Sequence, residues 1–350
     1  MVEHDGATRV ARAAGGPVTV RAIAAEAGVS IATVSRAMNG AAGVTPRTRE
    51  LVRQAVERLG GEVTPSAPRR DSPLTVHVRC PYVLTDYFGL VVSSVAETLE
   101  LHGVRMLLDA GEAAQQTRAL AALPRTPGVD GALLILPPEP ASELTALRAA
   151  GPPFVVVDPR LPPPRDLASV SAAHFAGARA VTAHLVSLGH RRIGVISGPP
   201  DWLASDARLA GHTAALAEAG VLPSPRLTED GHEPTIGWGE SAGGRLLDLA
   251  ERPTALVAFN DKVAAGALLA ARRRGLRVPE DLSITGFDDI DVSRVTHPQL
   301  TTVRQPLQEM GRMAVSLLMR LVRRHTVEAL HVELATELTI RGSTGPAPQS

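Results

Sequence analysis

The chain has 350 residues, and its 36 basic and 36 acidic side chains give a formal net charge of zero. A hydrophobic content of 44% allows a large buried core, in two or three domains. The single cysteine, Cys80, excludes an intramolecular disulfide framework, favours a cytoplasmic location and is predicted to be buried at a strand end. No apolar run could span a bilayer, so no membrane partner is predicted. Residues 1–17, predicted to be a disordered leader, have no signal-peptide core.

Residues 19–39 predict two short helices joined by a tight turn. The apolar positions of the first helix recur at helical spacing, and they are Val20, Ile23, Ala24 and Ala27. Gly28 suits the left-handed residue that ends this helix, and the Ser30 hydroxyl is expected to cap the second. The residues left facing outward are Ile31, Ala32, Ser35 and Arg36. A helix-turn-helix reads base edges with such a face, although a helical hairpin with an incidental arginine has the same pattern.

A third helix completes a predicted all-α headpiece, residues 18–60. Thr45 and Pro46 form a helix start, and Gly60 is a stop. The positions expected to be buried in this helix are Leu51, Val52, Ala55, Val56 and Leu59. Residues 1–70 hold ten arginines and six acidic residues, a net charge of +4, which leaves −4 on the rest. A basic head on an acidic body fits phosphate contact through the head alone.

Residues 74–343 predict a doubly wound α/β core large enough for two lobes, with residues 61–73 as a linker and 344–350 as a disordered tail. The near-continuous apolar runs suit parallel strands, placed at 74–80, 104–109, 131–136, 154–158, 192–197, 255–259 and 282–287. The covering helices are placed at 88–102, 174–188, 205–219, 261–274 and 306–324. Ligands of such folds bind beyond the carboxyl ends of the strands, at a switch point or between lobes.

Several of the nine aromatic residues follow predicted strands, and they include Tyr82, Tyr87, Phe88 and Trp202. Rings beside hydrogen-bonding groups would suit a sugar, while core packing and helix capping by Asn260 are the alternatives. Motifs for enzymatic chemistry are missing: there is no G-x-G-x-x-G, no phosphate-binding loop, no G-x-S-x-G and no metal-ligand pairing of histidines. The sequence therefore predicts no cofactor, no metal and no catalytic residue.

Several motifs in a fixed order resemble the lactose-repressor/galactose-repressor family of bacterial transcription factors, from about residue 18 to 343. They are A-x-x-x-G-V-S-x-x-T-V-S-R at 24–36, V-T-P-x-T-R at 44–49, LGHRRIGVISGPP at 188–200, R-L-A-G at 208–211, AFND at 258–261, VPEDLSITGFDDID at 278–291 and P-Q-L-T-T-V-R-Q-P at 298–306. The resemblance implies a helix-turn-helix head and a core like a periplasmic sugar-binding protein. It also implies a homodimer or tetramer on double-stranded operator DNA, with an effector between the lobes.

The resemblance also assigns candidate contacts. Base or phosphate contacts fall on Ser30, Ile31, Ala32, Thr33, Ser35, Arg36, Asn39 and Thr45, with Arg36 expected on a guanine edge. Effector contacts fall on Arg208, Asn260 and Asp288, and Asp158 at a strand end is a further candidate. Aromatic candidates for stacking on or facing the ligand are Tyr87, Phe88, Trp202 and Trp238.

The resemblance implies a linker that reads roughly Y-x-P-N-x-x-A-R-x-L, becomes helical on operator binding and wedges a leucine into the minor groove. Residues 60–70 depart from this pattern, because they read GGEVTPSAPRR, with Pro65 and Pro68 inside and no leucine at the matching place. Proline inside a helix costs about 3 kcal/mol, so we expect no helical hinge and no leucine wedge here. Arg69 and Arg70 are then candidates for groove or phosphate contact.

The favoured function is a sugar-responsive, operator-binding repressor that acts as a homodimer, since the tail has no heptad pattern for tetramerisation. A sugar-binding sensor whose DNA affinity is weakened by its linker is the alternative. A dehydrogenase on a nucleotide-binding lobe ranks third, because the glycine fingerprint is missing.

Overall fold

A computed structural model describes residues 20–38, 44–59, 73–115, 120, 122–231, 233–325, 327 and 329–348. The chain divides into two compact units, residues 1–73 and residues 74–350, and each is described separately below. The first unit contains the headpiece, and the second is the core.

The headpiece has three helices, α1 (Val20–Ala27), α2 (Ile31–Met38) and α3 (Pro46–Arg58). Gly28 adopts a φ of +65°, the left-handed backbone predicted for the turn between α1 and α2. The Thr33 amide donates to Ser30 Oγ at 3.1 Å, so the predicted cap of α2 is confirmed. Thr45 Oγ1 likewise accepts from the Thr48 amide at 3.2 Å and caps α3.

A small apolar core holds these helices together, made of Ile23, Ala24, Val34, Val52, Ala55 and Val56. The predicted burial of Leu51 and Leu59 is wrong, because these side chains are 39% and 37% exposed. Successive residues of a helix point about 100° apart. The stripe of Val52, Ala55 and Val56 therefore fills the interface, while the two leucines lie at its edges.

The first lobe of the core contains β1 (Thr75–Cys80), α4 (Asp86–Leu101), β2 (Arg105–Ala110), β3 (Gly131–Ile135), α5 (Ala141–Ala150), β4 (Phe154–Val157) and β5 (Ser169–Ala172). The second contains α6 (His174–Ser187), β6 (Ile193–Ile196), α7 (Leu203–Glu218), β7 (Thr228–Glu229), α8 (Ile236–Leu247), β8 (Ala255–Ala258), α9 (Asp261–Arg273) and β9 (Ser283–Thr285). The chain ends with α10 (Val292–Val295), β10 (Thr302–Arg304), α11 (Leu307–Val322), β11 (His331–Leu334) and β12 (Glu337–Thr339). Short 3₁₀ helices span Glu112–Gln115, Leu123–Arg125 and Pro225–Leu227.

Each lobe is built on a parallel sheet, as predicted. The first sheet has the order β11-β5-β4-β3-β1-β2, and the second has the order β7-β6-β8-β9. Helices α4 and α11 cover one face of the first sheet, and α5 covers the other. In the second lobe, α8 and α9 pack together on one face and α6 and α7 on the other.

The chain passes between the lobes at three places. It leaves the first sheet after β5, returns from β10 to α11, and leaves again from β11 to β12, which pairs antiparallel with β10. The carboxyl ends of the strands in both sheets therefore lie close to these crossings, where the candidate ligand residues occur.

Some elements were not predicted. The sequence analysis missed α5, α8, α10, β5, β7 and β10–β12. Helix α8 has a low intrinsic helix propensity because it contains four glycines, and one of them, Gly239, lets the backbone of α9 approach closely. The three-residue strands β10 and β12 exist only because distant segments pair.

The prediction of a disordered tail is wrong for residues 344–348. The Ala347 amide donates to the Leu188 carbonyl at 2.8 Å, and the Gly345 amide donates to Ser283 Oγ at 3.0 Å. Buried His190 joins the same network through Nε2, which lies 3.1 Å from the Gly345 carbonyl. The tail is therefore held by polar groups of the second lobe, which composition could not reveal.

Candidate functional site

An inter-lobe cavity of about 520 Å³ lies at the carboxyl ends of strands from both sheets. Seven of the eight effector residues singled out in the sequence line it: Tyr87, Phe88, Asp158, Trp202, Arg208, Asn260 and Asp288. They come from segments that follow β1, β4, β6, β8 and β9, and α7 carries Arg208. The parallel topology therefore brings together residues that are as much as 201 positions apart in the chain.

Trp238 is the exception among these eight candidates. Trp238 lies in the first turn of α8, and its indole packs against the core of the second lobe. Its Nε1 donates to the Ser197 carbonyl at 3.4 Å, and the Arg245 guanidinium lies 5.0 Å from the ring centroid. The residue does not line the inter-lobe cavity.

Arg208 is the buried cation of the cavity. Its Nη1 donates to the Phe259 carbonyl at 2.6 Å, and its Nη2 lies 3.7 Å from Asp288 Oδ1. The guanidinium carbon is 4.4 Å from the centroid of the Phe259 ring and 3.8 Å from that of Phe287. Two aromatic faces and a carboxylate thus stabilise a charge that burial alone would disfavour, and burial lowers the pKa of Arg208.

Asp158 is held by donors from two directions. The Tyr87 hydroxyl donates to Oδ2 at 2.7 Å, and His174 Nε2 lies 2.8 Å from Oδ1. Burial would raise the pKa of Asp158, but His174, Tyr87 and Arg208 outweigh it and hold that pKa below its usual value. The carboxylate is therefore charged at neutral pH.

His174 connects the two charged groups. Its Nδ1 lies 3.3 Å from Arg208 Nη2, and because a guanidinium can only donate, Nδ1 is the acceptor. Nε2 then carries the proton and donates to Asp158. Sequence reasoning missed this residue: it starts α6 directly after the first crossing, and only the fold reveals its partners.

Asp288 is the least solvated carboxylate facing the cavity. It accepts a hydrogen bond from Gln305 Nε2 at 2.6 Å, and Gln305 was also missed by the sequence analysis. Burial raises the pKa of Asp288 to about 6, against the opposing effect of Arg208. Its protonation is therefore sensitive to pH within the physiological range.

The backbone is strained where the acidic residues enter the cavity. Asp86, Asp158 and Asp288 have φ angles of 42°, 51° and 111°. Left-handed backbone is uncommon outside glycine, and such residues gather at functional sites. The chain turns sharply at each of these three residues, and the turn directs the carboxylate toward the cavity.

An aromatic wall, made of Tyr82, Phe88 and Trp202, lines another part of the cavity. The rings of Tyr82 and Phe88 are stacked, with centroids 4.5 Å apart and planes at 4°. Trp202 meets Tyr82 edge-on at 6.1 Å. Asn260 also lines the cavity. Its Oδ1 accepts a hydrogen bond from the Val263 amide at 2.9 Å, and this bond caps α9. The side-chain N–H groups of Asn260 are then left for a ligand.

The rim carries charged residues that the sequence analysis did not assign. Lys262 Nζ lies 2.7 Å from Asp86 Oδ2, an ion pair that joins α9 of the second lobe to α4 of the first. Arg160, which follows β4, pairs with Asp201, which follows β6. Both pairs cross between the lobes, and no local sequence pattern indicates them.

The candidate DNA-binding face of the headpiece is exposed at Ser30, Ile31, Ala32, Arg36 and Thr45, and half-buried at Thr33. Arg36 Nε donates a hydrogen bond to the Ala32 carbonyl at 3.3 Å, within α2. Ser35 belongs to α2. Asn39, Arg69, Arg70 and the linker prolines lie outside the described residues.

Two other kinds of feature, a metal centre and a membrane-spanning helix, are not found in the described part of the chain. It contains no group of three metal-ligating side chains. None of its helices combines the length and apolar character that crossing a bilayer requires.

Residues 19–60 match the model of the lacI family of bacterial regulatory proteins, and residues 182–344 match that of a periplasmic binding protein-like domain. The chain is 34% identical over 333 residues to the HTH-type transcriptional repressor CytR of Escherichia coli K12, covering 94% of this chain and 97% of CytR. The chain belongs to the lacI family. This lacI-family protein is a DNA-binding transcriptional regulator, and the predicted family and fold class are confirmed.

Solved structures agree with this assignment. The complex of the transcriptional regulator CelR with cellobiose has a TM-score of 0.71 and 32% identity, over 93% of this chain and 99% of CelR. The lac repressor dimer bound to operator and an anti-inducer has a TM-score of 0.70 and 27% identity, over 94% of this chain and all of that one. This lacI-family regulator therefore shares its architecture with proteins solved with a sugar and with DNA.

Proposed function

We propose that this regulator is a homodimeric repressor of sugar-utilisation genes, and that a sugar bound in the inter-lobe cavity releases it from its operator. The observation that carries the proposal is the lining of that cavity. It places an aromatic wall beside a cation, an amide and two carboxylates that can bind hydroxyl groups.

A sugar needs this combination of groups. Pyranose rings have apolar C–H faces that pack on aromatic side chains, and a rim of hydroxyls that both donate and accept. Asp158 and Asp288 supply acceptors, while Arg208 and Asn260 supply donors. The cellobiose bound to CelR, whose fold is similar, supports the same ligand class here.

The position of the cavity also allows a bound ligand to change the relative orientation of the lobes. Its lining residues come from both lobes, so a ligand that contacts both stabilises one relative orientation of the lobes over others. His174 stands at the first crossing between the lobes and joins Asp158 to Arg208. A ligand that competes for either partner therefore alters a contact between the lobes.

On the DNA side, α2 presents Ile31, Ala32 and Arg36 near its amino end, where a recognition helix reads base edges. Arg36 would contact a guanine through its bidentate guanidinium. Ile31 and Ala32 would contact thymine methyl groups.

The test is a fluorescence-anisotropy titration of the full-length protein against the intergenic DNA upstream of its own gene. A scrambled duplex of equal length is the control, and the titration is repeated with mono- and disaccharides. The proposal expects selective binding that one sugar weakens by about tenfold or more, a coupling free energy typical of allosteric proteins.

Other outcomes separate the alternatives. Selective binding that appears only with a sugar would contradict release and make the sugar a co-repressor. A folded dimer that binds sugar but shows no selective DNA binding would favour the sensor function and point to the proline-containing linker. Sedimentation of the same sample tests the dimer.

A further inference from the structure

The positively charged side chains that line the inter-lobe cavity already have negatively charged partners. Lys262 pairs with Asp86 at 2.7 Å, Arg160 pairs with Asp201, and Arg208 lies 3.7 Å from Asp288. Among the residues that the structure describes there, every lysine or arginine already has a carboxylate partner. An anionic ligand would therefore compete with a carboxylate at each of these cations, and Arg208 Nε is the buried donor among them that has no hydrogen-bond partner in the described part of the chain.

The remaining lining charges are negative. Asp158 is paired with His174, and the exposed Glu233 has no ion-pair partner in the described part of the chain. A phosphate group in this cavity would lose its water, displace an existing partner and face the Glu233 carboxylate. Sites that bind phosphate instead present uncommitted arginine, lysine or backbone amide groups. The charge arrangement therefore disfavours phosphorylated ligands.

The cavity is also larger than one sugar ring requires. A dry cavity of about 150 Å³ holds benzene, or roughly 25 Å³ for each non-hydrogen atom. On that scale, the 520 Å³ here accommodates about 20 such atoms. A hexose has about 12 and a disaccharide about 23, so a ligand of two rings fills the cavity better.

The polar lining also extends beyond the buried charged network. Asp158, Arg208 and Asp288 belong to that network, while Gln115, Glu233 and Lys262 contribute further polar atoms to the same cavity. The aromatic wall provides an additional apolar surface. A disaccharide carries more hydroxyl groups and more apolar ring surface than one sugar ring, so it can use more of these groups.

We infer that the effector is an uncharged disaccharide and that the cavity discriminates against phosphorylated sugars. This inference rests on the proposed function, because it takes the effector to be a sugar. It adds the charge and the length of that sugar.

The test is isothermal titration calorimetry of the full-length protein. The probes are glucose, cellobiose, maltose, lactose, sucrose, trehalose, glucose 6-phosphate and trehalose 6-phosphate, followed by the 6′-phosphate of whichever disaccharide binds. We expect at least one neutral disaccharide to bind about tenfold more tightly than glucose and about 100-fold more tightly than its phosphate.

Two variants test the charge argument. In Asp86→Asn, Lys262 loses its carboxylate partner, so the preference for the neutral sugar over its phosphate should fall about tenfold. Glu233→Gln changes an exposed residue and should lower that preference about threefold. The matched control is Asp248→Asn, which breaks a surface pair with Arg274 outside the cavity and should leave the preference unchanged.

Each contrary result has a distinct meaning. Tighter binding of a sugar phosphate, or equal binding of glucose, would overturn the inferred charge or length and leave the sugar-responsive function standing. Uridine is titrated as well, and binding of this neutral nucleoside with no binding of any sugar would overturn both. So would a preparation that binds operator selectively and binds none of the probes.

Discussion

The headpiece and the core use their functional side chains in opposite ways. On α2, the candidate DNA contacts Ile31, Ala32 and Arg36 are exposed, and Arg36 donates a hydrogen bond within its own helix. In the core, Arg208, Asp158 and Asp288 are buried and bonded to one another or to neighbouring groups. The difference follows from the ligands. DNA brings a charged, hydrated backbone to an exposed face of a protein, whereas a sugar must replace the water on the polar groups of a cavity between two lobes.

This comparison teaches where each function is sensitive to mutation. Replacing an exposed DNA-contacting residue removes contacts with the DNA and leaves the fold intact. Changing a buried partner leaves another polar group without its hydrogen bond or counter-charge, so stability and binding fall together.

Arg208→Ala should lower the free energy of unfolding by about 3–5 kcal/mol, because it leaves buried Asp288 without its cation. It should also abolish measurable sugar binding. Urea unfolding followed by circular dichroism measures the first effect. The control is Arg274→Ala at a surface pair with Asp248, where we expect about 1 kcal/mol or less. Equal losses in the two variants would show that the buried network does not set the stability of the core.

Asp288→Asn should change how stability depends on pH. Burial raises the pKa of Asp288 from 3.8 to about 6, so the folded state binds more protons than the unfolded state between these values. Its contribution to stability is present at low pH and is lost as the pH rises through 6. Over pH 4 to 7 the variant should gain about 2 kcal/mol relative to the wild type. Urea titrations across this range measure the difference, and a constant difference would contradict the prediction.

Arg36→Ala should weaken binding to the operator by about 1–3 kcal/mol, the range for a bidentate contact with guanine. Affinity for a sugar and the melting temperature should not change. The matched control is Arg53→Ala on α3, because Arg53 is already paired with Glu50 and Glu57 and is not expected to contact bases. Anisotropy with operator and scrambled DNA measures the effect. A similar loss in both variants would indicate general charge attraction instead of base reading.

Ser30→Ala removes the side-chain cap of α2 and should destabilise that helix by about 1 kcal/mol. The Thr33 amide loses its hydrogen bond to Ser30 Oγ. Hydrogen exchange of the full-length protein should then be about fivefold faster across residues 31–38. Helix α9 in the core keeps its Asn260 cap and serves as the internal reference. Unchanged exchange in α2 would show that packing alone holds the recognition helix.

The features that were predicted correctly depend on neighbouring residues. The Gly28 turn, the Ser30 and Thr45 caps and the burial of Cys80 each follow from a few adjacent positions. The parallel strands of the core follow from their apolar runs. Once parallel strands are expected, their carboxyl ends must gather polar residues such as Asp158, Asn260 and Asp288, even without coordinates.

Only the tertiary structure decided which side chains meet. His174 lies between Asp158 and Arg208, and Gln305 reaches Asp288, because crossings between the lobes bring distant segments together. The Lys262–Asp86 ion pair, which spans 176 positions in the chain, arises in the same way. Trp238 shows the converse, since a resemblance placed it near the ligand and packing placed it in the second lobe. The amino-acid sequence was enough to predict the helix caps, the Gly28 turn, the apolar strands and the family, because caps, turns and periodicity act over a few residues. The tertiary structure alone determined the charge pairing and the volume of the cavity, because these depend on contacts between segments that no local pattern records.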